Sequence, residues 1–133
     1  MKEVTRLMIN QYKIKKLGFD FMGYSLQKRD IYTFHHLIIP KRHNGKETIE
    51  NGAILCGETS HPYLHLIETK DYERFLAITS EMIDENIKGK LDIENILIIH
   101  DILKSFEKEY SNARTKKGKP LIKEEYTKRL ILK

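Results

Sequence analysis

The chain has 133 residues, and its 24 Lys+Arg against 19 Asp+Glu leave a formal charge of +5. That length suits one domain that buries roughly two thirds of its unfolded surface, which excludes a large multi-domain enzyme. The composition, 40% hydrophobic and 32% charged with a single cysteine, excludes a disordered tail and a disulfide scaffold.

Met1 to Arg6 is polar, with no apolar secretory core behind it, and no run of about 18 apolar residues follows anywhere. A cytoplasmic protein is therefore expected, with no membrane partner. Phe19 to Leu26 is aromatic-rich and alternates in part, Gln27 to Asp30 is a polar turn, and Ile31 to Ile39 is rich in β-formers. Together they predict a hairpin. Pro40 to Glu50 contains Asn44-Gly45 and reads as a loop, Ala53 to Cys56 as a short strand, and His61 to Glu68 as helical. Phe75, Leu76, Thr79, Met82 and Ile83 recur at helical steps before Gly89. Asp92 is an N-cap candidate for a second helix, with a stripe of Ile93, Ile96, Leu97, His100, Leu103 and Phe106. Arg114 to Pro120 reads as an exposed basic linker, and Tyr126 to Leu132 fits either a strand or a short helix.

Charge is unevenly spread. Residues 1–65 hold 10 basic and 6 acidic side chains, a net +4. Residues 66–109 hold 6 and 11, a net −5, and residues 110–133 hold 8 and 2, a net +6. The acidic middle is a solvated helix face, a surface turned away from a polyanion, or a docking surface for a basic partner.

Six histidines occur, and two spacings matter. His35 and His36 end a predicted strand, where neighbouring side chains point to opposite faces. One could bind a metal and leave the other free as a base. His61 and His65 are four apart, which on a helix stacks two imidazoles on one face. Three neutral imidazoles favour Zn²⁺ or Ni²⁺ over Mg²⁺ and leave a coordination position open. His100, on an apolar helical face, and Cys56 read as core residues.

The stretch His35-His36, Pro40, Asn44-Gly45, Asn51, Ala53 to Cys56, His61 and His65 resembles the HNH (ββα-metal, His-Me finger) endonuclease family. The double His and the His-x₃-His look most like its colicin-type, three-His branch, and the resemblance implies a protein encoded by a phage or mobile element. The likeness covers roughly residues 31–66. It implies an α+β fold: an HNH core at about 19–70, a helical extension at about 71–110 and a basic segment at 111–133, all in a single domain. It implies one divalent ion, Zn²⁺ first, held by His35, His61 and His65. His36 would be the general base, and Asn51 would hold the loop and orient that base through backbone hydrogen bonds. Lys41, Arg42 and Lys46, with His43 beside them, would contact phosphates of DNA without reading sequence. The departures are that Cys56 stands alone, so the paired-cysteine structural zinc of many relatives is missing, and that the step from Cys56 to His61 is one residue longer than usual. A different class of function stays open: a non-catalytic, metal-stabilised module that binds another protein through residues 68–109. An inhibitor of a bacterial CRISPR nuclease would be one example.

Overall fold

A computed structural model describes residues 2–26, 31–110 and 123–131. The polar turn expected at 27–30 and the basic linker expected at 114–120 lie outside them.

Helix α1, Glu3–Gln11, was not foreseen. Thr5, Met8 and Ile9 are buried along it, and Tyr12 follows. That spacing of three, four and seven is the signature of a one-sided helix. A single turn, α2 (Ile14–Leu17), is entered through Lys13 and left through Gly18, both at positive φ.

The next segment corrects the expected hairpin. Phe19 to Ser25 closes on itself through one antiparallel bridge between those two residues. Asp20 is the cause. Its Oδ1 accepts the backbone N–H of Met22 (2.9 Å) and of Tyr24 (3.1 Å). A side chain that satisfies its own neighbours withdraws their donors from any ladder. Gly23 turns the chain at φ 80°, and a Cβ there would meet the Tyr126 hydroxyl at 2.5 Å.

Strand β1, Tyr32–His36, pairs instead with β2, Gly52–Cys56, in antiparallel register from Tyr32↔Cys56 to His36↔Gly52. The strand expected at Ala53 to Cys56 is thus the partner of His35-His36. Every residue of β2 is buried, in keeping with its unbroken apolar run. The intervening loop contains two single 3₁₀ turns, Lys41–His43 and Ile49–Asn51.

Helix α3, Ser60–Lys70, follows β2 directly. Helix α4, Tyr72–Lys88, is capped by Asp71, which accepts the Arg74 N–H, and ends at Gly89 at φ 72°. Its buried stripe is Phe75, Ile78, Thr79, Met82 and Glu85, whereas Leu76, expected inside, is 47% exposed. Helix α5, Ile93–Glu109, starts at the expected cap, Asp92, whose side chain accepts the Glu94 N–H. Ile96, Leu103 and Phe106 are buried as expected, joined by Ile99, while Ile93, Leu97 and His100 are only half-buried. The C-terminal alternative resolves as a helix, α6, Lys123–Ile131. Buried Tyr126 donates to the Gly23 carbonyl at 2.8 Å, and Arg129 reaches the Leu17 and Gly18 carbonyls at 3.1 Å.

The described residues therefore form an α+β fold of six helices and one two-stranded antiparallel sheet. No helix among them is long and apolar enough to cross a membrane.

Candidate metal centre

Three histidines expected as ligands converge. His35 sits on β1 and is 5% exposed. His61 lies in the first turn of α3 and His65 one turn on. Their ring centroids are 5.2 Å (His35–His61), 5.4 Å (His35–His65) and 4.8 Å (His61–His65) apart. One ring nitrogen of each lies within 4.8 Å of the others, the only such group of three or more His, Cys, Asp or Glu among the described residues. The extra residue between Cys56 and His61 does not spoil the register. The Gly57 N–H bonds to the Ile31 carbonyl, Thr59 turns back on Cys56, and α3 begins at Ser60.

Hydrogen bonds fix which nitrogens face one another. The Thr33 hydroxyl donates to the Leu55 carbonyl (2.9 Å), so it can only accept from His61 Nδ1 at 2.6 Å. That leaves the His61 Nε2 lone pair, 3.3 Å from His35 Nδ1. Glu68 Oε1 accepts from His65 Nδ1 at 3.0 Å, which frees Nε2 of that ring as well. Outer partners of this kind set the tautomer and orientation of metal-binding histidines. His35 is left short: its Nε2 is buried with no hydrogen-bond partner.

Electrostatics point the same way. Burial, then the neighbouring imidazoles, pulls His35 down to about 3 and His61 to about 4. Both are neutral at pH 7, as ligands must be. His35 Nδ1 facing the His61 Nε2 lone pair, with His65 Nε2 freed beside them, fits a divalent cation, and all-imidazole donors fit Zn²⁺ best.

Two expectations follow. Thr33→Val, which removes the acceptor for His61, should weaken Zn²⁺ affinity about 10- to 100-fold in a chelator competition. The second concerns acid. With chelator present, stability should be full above pH 6.5 and fall as pH drops toward 3. Unfolded histidines take up protons from about pH 6.5, whereas folded His35 and His61 resist until about 3 and 4. His35 alone should cost on the order of 2 kcal/mol at pH 5, read by urea unfolding at pH 7 and pH 5. Equal stability at the two values would refute this.

His36 lines the same pocket, of about 450 Å³, together with His35, His61, His65, Lys41 and Arg42. Its ring meets Phe34 edge-on at 5.0 Å, and its Nε2 is buried without a partner. Lys46 is exposed and does not line the pocket; its carbonyl instead accepts Asn51 Nδ2 at 3.0 Å. Asn51 Oδ1 accepts the N–H of Ile38 and of Ile39, both at 2.9 Å, and Nδ2 also donates to the Ile39 carbonyl. The Asn51 carbonyl accepts the Leu37 N–H. Asn51 thus clamps the chain just after His36.

Sequence reasoning missed three supports. Thr33 lies two residues before His35, on the same strand face, and Glu68 three residues after His65, on the same helix face; both spacings were readable. Asp20 was not. Fully buried, it accepts the Cys56 N–H at 3.1 Å and the Ser60 hydroxyl, tying the 19–25 loop to the end of β2 and the start of α3. Its carboxyl is pushed up by burial and held back by these hydrogen bonds.

No protein-family model, curated protein or solved structure matches this chain.

Proposed function

We propose that the protein is a metal-dependent HNH-type endonuclease that hydrolyses phosphodiester bonds of DNA in the cytoplasm. In this reading β1, β2 and α3 form a ββα-metal module, and α1, α2, α4, α5 and α6 complete its core. The observation that carries it is the company His36 keeps: a ring nitrogen with no partner, in one pocket with a convergent three-His cluster.

A divalent ion held by His35, His61 and His65 would polarise the scissile phosphate and stabilise the departing 3′ oxygen. His36 takes the proton from the attacking water as general base. Asn51 keeps His36 aimed by fixing residues 37–39. Lys41 and Arg42 draw the phosphate backbone to the pocket and give salt-dependent affinity. Both are exposed and line the pocket beside the three histidines. Elemental analysis of the purified protein, with a plasmid-nicking assay in Zn²⁺, Ni²⁺, Mn²⁺ or Mg²⁺, tests the reading. Bound metal with nicking abolished by EDTA supports it; intact plasmid in every metal refutes it.

One observation favours the second reading, a non-catalytic module that binds another protein, such as an inhibitor of a CRISPR nuclease. An open groove of about 760 Å³ runs between α4 and α5, lined by Asp71, Glu73, Asp101 and Glu109 beside Ile98, which is 46% exposed. Arg74 bridges Asp71 and Glu109 across it at 2.5 Å. Under this reading chelation unfolds the protein, no DNA is cut, and a partner is recovered whose binding is lost on charge reversal at Asp101.

A further inference from the structure

The metal pocket has an apolar side that phosphodiester chemistry does not require. Tyr72 and Leu76, one turn apart at the start of α4, both line it and are 57% and 47% exposed. Ile38, on the segment clamped by Asn51, also lines it and is 61% exposed. The Tyr72 ring stacks on Phe75 at 5.6 Å and 25°. Phe75, nearly buried, meets the ligand His35 edge-on at 6.3 Å and 87°. An aromatic ladder thus runs from a metal ligand to the surface, and its outermost ring is held flat against the one beneath.

The charges in this pocket sort cleanly. Glu68 is engaged by His65, and Glu47 is paired with Lys2 at 2.6 Å. Lys41 and Arg42 remain as cations suited to phosphate. The pocket therefore offers three features together: a cluster for the scissile phosphate, cations for its neighbours and a supported aromatic face. Duplex DNA shows such a surface sugars, phosphates and base edges but no base face, because its bases are stacked on one another. An unpaired strand brings a base to each phosphate, and every base has a face that can stack on Tyr72.

We infer that the substrate is an unpaired DNA strand, with Tyr72 as the stacking platform for a base next to the scissile phosphate. This rests on the nuclease reading but names a separable property, strand choice. Binding is measured by fluorescence anisotropy on Zn²⁺-loaded His36→Ala protein, with a short unpaired oligonucleotide and with its matched duplex. The unpaired strand should bind more tightly. Tyr72→Ala in the same background should weaken that binding about 5- to 150-fold, while Tyr72→Phe retains it. Ile87→Ala, a 77% exposed residue further along α4, should change nothing. Duplex bound as tightly as the unpaired strand, or a Tyr72→Ala protein that binds the unpaired strand undiminished, overturns the inference. Cleavage by the unsubstituted protein separates the two proposals. A strand bound through Tyr72 yet left uncut in every metal refutes the nuclease and keeps the stacking site. Duplex cut as fast as the unpaired strand does the reverse.

Discussion

Alanine at position 36 is expected to slow phosphodiester cleavage about 10²- to 10⁴-fold, the usual contribution of a positioned general base. Metal content should not change, because His36 lies outside the convergent trio. Added imidazole should restore part of the rate, since truncation leaves a ring-sized gap in a pocket of about 450 Å³. His35→Ala makes the contrast: it should lose bound metal and activity together. The two variants separate proton transfer from metal holding, which a single inactive variant cannot do. A His36→Ala protein that cuts DNA at the unsubstituted rate, with metal bound, removes the base assignment.

Asp20→Ala should cost on the order of 4 kcal/mol, seen as a fall of roughly 15 °C in Tm. The carboxyl accepts four donors: the N–H groups of Met22, Tyr24 and Cys56, and the Ser60 hydroxyl. Alanine strands the first two outright. Cys56 keeps a second acceptor, Ser60 Oγ at 3.2 Å, which limits the loss there. Each buried donor left bare costs about 1–3 kcal/mol, and removing a buried carboxyl returns part of it. Asp20→Asn should cost less, because one amide oxygen still serves Met22 and Tyr24. The effect should reach the metal. Ser60 opens α3 and His61 follows it, so loosening Ser60 weakens metal binding by a protein that still folds. A Tm within 2 °C of the unsubstituted protein would show that water replaces the carboxyl at little cost.

How much was legible depended on how local the determinant was. His61 and His65 were placed correctly because four residues on a helix always stack, whatever lies around them. The caps at Asp92 and Gly89 were readable for the same reason. The partner of β1 was not. Phe19 to Leu26 has the aromatic composition of a strand, but Asp20, turned inward on its own loop, takes the Met22 and Tyr24 N–H groups, and the segment meets β2 through the Phe21 N–H and the Ile54 carbonyl. Leu76 and Ile78 show a related limit. Periodicity marks a face, but the neighbouring elements decide how wide that face is, and here the stripe turns by half a step. The three-His trio was expected through a family resemblance, whereas its tautomers depend on Thr33 and Glu68, whose strand and helix spacings were readable but passed over.

The contact between Tyr126 and Gly23 spans 103 residues. Chains are synthesised from the N-terminus at about 5–20 residues per second, so about 5–20 s pass between the making of the loop and of its clamp. During that time the Asp20 loop, and through it the start of α3, has no lid at Gly23. The order of synthesis therefore runs against the order of support: the histidines emerge well before the helix that secures their foundation.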